Sequence, residues 1–251
     1  MPKFFIETKQ INEDIINLIG QDVNHIANVL RKKVGDNISI CNKNTSENFL
    51  CKIEKINKEQ IECRIVEKVE SKSEGNIKIT IFQGLPKAEK MELIIQKGVE
   101  LGIDEIIPVS MERCVVKLDS KSENKKIERW QKIAEVAAKQ SGRDFITRIN
   151  YVENIKNVCN LVSKYDILLV AYEEEKVNSL KNEINNLKAI NKQNLKIGIV
   201  IGPEGGISNK EIDVLKQNGA KIITLGNRIL RTETVALVIT SILQYELGDL
   251  S

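Results

Sequence analysis

Residues 196–212, KIGIVIGPEGGISNKEI, place a strand, a bend and the start of a helix in direct succession. The mostly apolar, β-branched run 196–201 predicts a buried strand. The proline and the closely spaced glycines that follow it predict a turn. Ser208 and Glu211 then have the S-x-x-E spacing of a capping box, which predicts that a helix begins directly afterwards. A strand joined to a helix in this way is typical of an α/β domain.

The same alternation of strands and helices continues through the C-terminal two thirds of the chain. The predicted strands cover residues 77–82, 105–109, 167–172, 196–201 and 221–225. The predicted helices cover residues 88–101, 125–140, 178–188, 209–217 and 234–247. Near-continuous apolar strands separated by helices predict an α/β fold with a mostly parallel sheet and helices on both faces. Sheets of this kind bind ligands at the carboxyl ends of their strands.

The first 72 residues have a different texture. Short segments with period-two patterning predict strands, and these cover residues 3–7, 37–41, 48–56 and 60–69. One helix is predicted over 22–33, with Asp22 as its N-cap. We therefore predict a small β-barrel domain over residues 1–72, a polar linker over 70–76 and the α/β domain over 73–251.

Composition excludes several classes of protein. Hydrophobic residues make up 41% of the chain and charged residues 29%, which is globular composition. Aromatic residues make up only 4%, which argues against a single-strand binder built on aromatic platforms. The five cysteines form no C-x-x-C pair and there is one histidine, so we expect no metal site. No apolar run approaches the length of a membrane span, and we expect a cytoplasmic protein.

Charge alone does not indicate a nucleic-acid partner, because the net charge is only +3. Any contact with phosphate must come from a local patch.

Glycine-bearing bends follow three predicted strands, at residues 83–87, 201–208 and 225–234. One such bend is equally well explained as a plain turn, whereas two after successive strands favour a ligand site. A P-loop ATPase is a poor alternative, since the G-x-x-x-x-G-K-[ST] motif is absent.

Motifs spread along the whole chain resemble one family. In the second domain they are Gly84-Leu85-Pro86-Lys87, Lys90-Met91-Glu92, Gln96-Lys97, Glu100-Leu101-Gly102, Arg129-Trp130, Gln140-Ser141-Gly142-Arg143, Ile201-Gly202-Pro203-Glu204-Gly205-Gly206, Leu225-Gly226 and Arg228-Ile229-Leu230-Arg231-Thr232-Glu233-Thr234. In the first domain they are His25, Asn28-Val29-Leu30-Arg31 and Val34-Gly35-Asp36. In this order they resemble the RsmE family, 16S ribosomal RNA uridine N3-methyltransferases of the SPOUT superfamily.

The resemblance implies a PUA-like barrel that helps to hold RNA, followed by an α/β domain whose chain forms a trefoil knot. It implies S-adenosylmethionine as cofactor, a homodimer, and 16S rRNA within the 30S subunit as substrate. The cofactor residues that it implies are Leu169, Val170, Ala171, Ile201, Gly202, Gly206, Leu225, Gly226, Ile229 and Leu230. Apolar side chains with a few convergent backbone groups suit an adenine.

Methylation of uridine N3 requires an unpaired base whose N3–H, a weak acid, loses its proton. A guanidinium beside the carbonyl oxygens favours the anion, and Arg231 is the first candidate for it. Glu204 or Glu233 is the candidate base. Both glutamates are equally explained as partners of a helix dipole, and Arg231 as the partner of Glu233 or Glu211 in a structural ion pair.

RNA contact is predicted for a set of basic side chains in both domains. They are Arg31, Lys32, Lys33, Lys87, Arg113, Arg143 and Arg228. Two other functions stay open at this point. One is a knotted methyltransferase that acts on another RNA or on a ribose 2′-oxygen, and the other is a non-catalytic RNA-binding assembly factor.

Overall fold

A computed structural model describes residues 3–70, 74–190, 192–248 and 250. The chain divides into two compact units. Unit 1 comprises Met1–Glu74 and Ala138–Ile146, and unit 2 comprises Gly75–Ala137 and Thr147–Ser251. The predicted boundary between residues 72 and 73 lies outside the described residues, so the division into 1–72 and 73–251 stays a prediction.

Unit 1 is built on a six-stranded sheet. Its strands are β1 (Lys3–Ile6), β2 (Ile11–Asn12), β3 (Ile15–Ile19), β4 (Asn37–Asn42), β5 (Asn48–Ile56) and β6 (Gln60–Val69). The strand order is β1-β4-β5-β6-β3-β2, with β1 parallel to β4 and the other neighbours antiparallel. Alternate residues of β5, namely Phe49, Cys51 and Ile53, enter the core, as period-two patterning predicts.

The structure corrects two expectations for unit 1. Strands β2 and β3 were not predicted, and β3 pairs with β6 in a register that joins Ile16 to Cys63. The predicted helix 22–33 is shorter, because α1 (Gln21–Asn24) passes into a π-helical turn, His25–Val29. Asp22 is not its N-cap. That position belongs to Gly20, whose φ of +74° favours glycine.

Unit 2 contains a seven-stranded sheet. Its strands are β7 (Ile77–Gly84), β8 (Glu105–Ser110), β9 (Arg148–Ile149), β10 (Glu153–Asn154), β11 (Ile167–Ala171), β12 (Leu195–Ile201) and β13 (Lys221–Ile223). Its helices are α2 (Lys90–Glu100), α3 (Ser120–Ser141), α4 (Ile155–Asn160), α5 (Leu180–Ile190), α6 (Asn209–Gln217) and α7 (Thr232–Leu247). The order is β10-β8-β7-β12-β11-β13, with β9 beside β8.

Every strand pairing within this sheet is parallel in the part of the chain that is described. The central strands β7 and β12 are buried at all but one residue each, so both faces of the sheet are covered. The predicted α/β fold with a mostly parallel sheet flanked by helices is therefore confirmed. The trefoil knot that the resemblance implies stays a prediction.

Short elements account for most of the differences in unit 2. Strands β9 and β10 have two residues each, too few for a periodic pattern. Helix α4 was also not predicted. Helix α3 begins five residues before its predicted start, where the Asp119 carboxylate accepts a hydrogen bond of 2.7 Å from the Ser122 N–H. No described helix combines the length and apolar character that crossing a bilayer requires.

Candidate functional site

A cleft of about 320 Å³ opens in unit 2 at the carboxyl ends of β11, β12 and β13. Its walls come mainly from three segments of chain, residues 171–173, 201–206 and 224–232. Parallel neighbouring strands bring their carboxyl ends to one edge of the sheet, which is why segments far apart in sequence meet here.

The bend after β12 is tightly built. Its Gly206 has φ +71° and donates its N–H to the Pro203 carbonyl at 2.9 Å. A Cβ at Gly206 would lie 2.5 Å from Oε1 of Glu173. The predicted capping box follows directly: the Ser208 hydroxyl accepts from the Glu211 N–H, and the Glu211 carboxylate accepts from the Ser208 N–H. The backbone conformation of the bend thus favours glycine at Gly206, and the capping box begins α6 where the bend ends.

The bend after β13 lies against the first one. The Thr232 hydroxyl, at the start of α7, donates a hydrogen bond of 2.7 Å to the Gly202 carbonyl. The Gln83 side chain donates to the same hydroxyl at 2.8 Å. Within this second bend Gly226 has φ +101°, and Ile229 is 85% exposed. One buried threonine therefore fastens both glycine-bearing bends and the end of β7 together.

Most of the predicted cofactor residues come together in this cleft. Those that line it are Ala171, Ile201, Gly202, Gly206, Leu225, Gly226, Ile229 and Leu230. Leu169 and Val170 do not. Both are fully buried inside β11, and only the carboxyl end of that strand reaches the cleft.

Two of the three predicted catalytic residues lie on the wall of this cleft, and Glu233 does not. Arg231 and Glu204 line the cleft. Arg231 is exposed and forms no ion pair within the described ranges. Its suggested structural partners are engaged elsewhere, because Glu233 lies beside Lys90 and Glu211 belongs to the capping box. Glu233 stands in the first turn of α7, where an acidic residue also complements the helix dipole.

Lys90 connects the two glutamates. Its Nζ lies 2.9 Å from Oε1 of Glu204 and 3.4 Å from Oε2 of Glu233. The Glu204 carboxylate also accepts from the Lys87 backbone N–H, at 3.1 and 3.3 Å. Burial raises the pKa of Glu204, but the hydrogen bonds from Lys90 and from backbone N–H groups outweigh burial and hold that pKa below its usual value. Glu204 is a fixed anion at neutral pH.

The predicted RNA-contacting residues divide between the two units. In unit 1, Arg31 and Lys33 are exposed and Lys32 is half-buried. In unit 2 the exposed ones are Lys87, Arg113 and Arg228.

Arg143 differs from the other members of this set. It belongs to unit 1 and is only 4% exposed. Its Nη2 lies 2.6 Å from Oε2 of Glu74. A buried, paired guanidinium holds the chain together rather than offering charge to a phosphate.

Several lining residues were given no role in the site from the sequence. They are Lys90, Glu173, Pro203, Thr224, Thr232 and Val235. Lys90 carried one usable signal, since a cation at the start of a helix opposes the helix dipole. His25 packs edge to face on Phe4, with ring centroids 5.9 Å apart, and Trp130 is 3% exposed, so both are packing residues.

Comparison with known proteins agrees with this geometry. Residues 73–244 match the family model of an RNA methyltransferase domain, and residues 18–66 match that of an RNA methyltransferase PUA domain. Ribosomal RNA small subunit methyltransferase E of Bacillus subtilis is 39% identical over 252 residues, covering 98% of this chain and 97% of that protein.

The chain belongs to the RsmE family. A second RsmE relative, from Mesomycoplasma hyopneumoniae, is 32% identical over 94% of this chain and 96% of its own length. The RsmE structure from Neisseria gonorrhoeae, solved with S-adenosyl methionine bound, has 27% identity and a TM-score of 0.85, with full coverage of both chains. The RsmE resemblance and the PUA-like first domain are therefore confirmed. In the described ranges no cluster of three or more His, Cys, Asp or Glu side chains could hold a metal.

Proposed function

We propose that this protein transfers a methyl group from S-adenosylmethionine to N3 of a uridine near the 3′ end of 16S rRNA in the 30S subunit. The observation that carries the proposal is the hydrogen bond from Thr232 to Gly202, which joins two glycine-bearing bends into one cleft. It is supported by relatives named as small-subunit ribosomal RNA methyltransferases along nearly the whole chain. We place the reaction in the cytoplasm, where that subunit is made.

The cleft has the features that an adenosine-bearing cofactor needs. Ile201, Leu225 and Leu230 offer apolar surface, and the glycines beside them allow a ligand to approach backbone N–H and C=O groups. The Glu173 carboxylate adds an acceptor for hydroxyl or ammonium groups. When bound there, S-adenosylmethionine supplies an electrophilic methyl group. The chain itself holds and aligns the two partners.

Arg231 is placed to favour the uracil anion. It lines the cleft, is exposed and is not held by a carboxylate in the described ranges, so its guanidinium is free to bind a carbonyl oxygen of the base. Glu204 and Glu233 remain the two candidates for the proton acceptor. Glu204 lines the cleft but already accepts hydrogen bonds, whereas Oε2 of Glu233 is buried without a hydrogen bond and 3.4 Å from Lys90.

RNA is held in this proposal by basic side chains of both units, all of them exposed except the half-buried Lys32. They are Arg31, Lys32, Lys33, Lys87, Arg113 and Arg228. We leave Arg143 out because its guanidinium is buried against Glu74. Such contacts bind the phosphates and recognise the shape of the RNA, while the unpaired base enters the cleft.

We also propose that two copies form a homodimer through α7. One face of this helix stays uncovered, with Ile242 and Tyr245 at 38% and 62% exposure. Leu237, Val238 and Ser241 are half-buried at helical spacing on the same face. A second copy of the chain, presenting the same apolar face, would cover it as an isologous contact.

The proposal is tested by methyl transfer to purified 30S subunits and to naked 16S rRNA side by side, with S-adenosylmethionine as donor. The RNA is then digested and its nucleosides are identified by mass spectrometry. We expect N3-methyluridine on the subunit. A ribose-methylated nucleoside would instead assign the enzyme to another reaction, and the absence of any heat of S-adenosylmethionine binding would indicate a non-catalytic RNA-binding factor.

A further inference from the structure

Lys90 occupies a position that a helix by itself disfavours. It is the first residue of α2, and the amino end of a helix carries partial positive charge. The side chain is only 29% exposed, so water screens that repulsion incompletely. A local preference broken in this way is more common where a side chain serves a site than where it serves the fold.

Two carboxylates from other elements compensate for this position. Glu204 comes from the bend after β12, and its Oε1 lies 2.9 Å from the Lys90 Nζ. Glu233 comes from the first turn of α7, and its Oε2 lies 3.4 Å from the same nitrogen. Their side chains are 26% and 14% exposed. Because both approach one nitrogen, the two carboxylates are near neighbours. Like charges so close and so little solvated favour protonation of one of them, unless a cation lies between them.

We propose that Lys90 is a positioning residue of the methyl-transfer site. It holds the carboxylate of Glu204, on the bend after β12, ionised and in place. This inference rests on the proposed function for its link to the reaction. The first residue of α2, the bend after β12 and the start of α7 are joined at a single ammonium group. Glu204 in turn accepts the Lys87 N–H, so Lys90 also fixes the segment that follows β7.

The nearby ionisable groups do not duplicate this role. Those around the cleft and its bends are Tyr172, Glu173, Glu211, Arg228, Arg231, Arg113 and Cys114, and those beside Lys90 along the chain are Lys87, Glu89 and Glu92. Glu92 is paired with Arg129 at 2.8 Å, and Arg113 donates to the Gly205 carbonyl at 3.1 Å. Of the described lysines and arginines, only Lys90 forms an ion pair with Glu204 or Glu233.

The claim that Lys90 keeps Glu204 ionised is tested on the protein itself, with no activity assay. Full-length wild-type protein and the Lys90→Met variant are labelled with ¹³C at the glutamate carboxyl, and the Glu204 signal, assigned with Glu204→Gln, is followed through a pH titration by NMR. In Lys90→Met we expect the Glu204 midpoint to rise by roughly one pH unit, since burial and the Glu233 charge remain while the cation is gone. Lys97→Met is the matched control, because Lys97 lies on the same helix and, among the residues that the structure describes, pairs only with Glu100. An unchanged Glu204 midpoint in a folded Lys90→Met variant would overturn the proposal.

The link to the reaction is tested by the pH profile of kcat/KM. In Lys90→Met the acid limb should move up with the Glu204 midpoint by roughly one pH unit, and kcat/KM on the acid side of that midpoint should fall by up to about tenfold, since one pH unit changes the ionised fraction there about tenfold. Lys90→Arg should restore both to within about threefold, because a guanidinium keeps the charge. A moved midpoint with an unmoved acid limb would overturn the role in methyl transfer. If wild-type protein methylates no RNA, the proposed function fails, whereas the NMR titration still decides whether Lys90 controls Glu204.

Discussion

Gly206 shows how a single residue combines two requirements of the cleft. Its φ of +71° lies in the left-handed region, and any Cβ would come within 2.5 Å of the Glu173 carboxylate. The first requirement costs another residue about 1–2 kcal/mol, and the second displaces a group that lines the cleft. Both follow from a bend that turns the chain from β12 toward α6.

Gly206→Ala should therefore weaken S-adenosylmethionine binding by about tenfold or more, measured by calorimetry. Gly219→Ala is the control, because Gly219 has φ +93° but nothing within 4 Å of a built Cβ. The control variant should lose about 1 kcal/mol of unfolding free energy and keep its cofactor affinity. Equal affinities of Gly206→Ala and wild type would contradict our account of this bend.

Arg231 is the residue on which the proposed chemistry depends most. Arg231→Met should lower kcat by about 10²–10³-fold, as expected for loss of a group that stabilises developing negative charge, while the Kd for S-adenosylmethionine stays within about threefold. Arg228→Ala, on the same bend, should instead raise the KM for RNA. The assay is steady-state methyl transfer, and a wild-type kcat in Arg231→Met would rule out this role.

At the scale of elements, sequence pattern performs best where local chemistry decides the structure. The capping box at Ser208 and Glu211 predicts the start of α6 to the residue. Helix α1 was placed wrongly because its start depends on the φ of Gly20 and its end on a π-helical turn, neither of which shows in the periodicity. Strand β3 depends on a distant partner, β6, for its hydrogen bonds, and a local pattern cannot supply that information.

Helix α7 allows the proposed dimer contact to be tested, because this helix is more apolar around its circumference than a helix with one covered face needs. Ile242→Glu should convert the proposed homodimer to a monomer, since a charge at the centre of the proposed apolar contact is left without a partner. Light scattering after size-exclusion chromatography measures the mass. Val214→Glu on α6 is the control, with 40% exposure against 38% for Ile242, and it should remain dimeric. A monomeric wild type would contradict the prediction.

At the scale of the molecule, the cleft could be predicted in outline but not in full. The two glycine-bearing bends can be recognised in the sequence, because positive φ and close approach of the backbone require glycine there. Lys90 and Glu173 could not be found in this way, since they reach the cleft from α2 and from the end of β11. Arg143 was assigned to RNA on charge alone, and only the fold shows that Glu74 lies beside it.

The proposed contact of unit 1 with RNA concerns the whole molecule, and the salt dependence of RNA binding tests it. Arg31→Ala should weaken binding to 16S rRNA and reduce the slope of log K against log salt by about 0.7–0.9, because one phosphate contact is lost. Affinity for S-adenosylmethionine should not change. Lys52→Ala replaces another exposed basic residue of the same unit and should leave the slope unaltered. A wild-type slope in Arg31→Ala would remove Arg31 from the RNA surface.

The central claim is that both glycine-bearing bends together form the methyl-donor site. A crystal structure of this protein grown with S-adenosylmethionine tests it most directly. We predict the adenine between Ile201 and Leu230, with the rest of the ligand reaching toward Arg231. Density for the ligand elsewhere, or a cleft closed by its own side chains at saturating ligand, would contradict the claim.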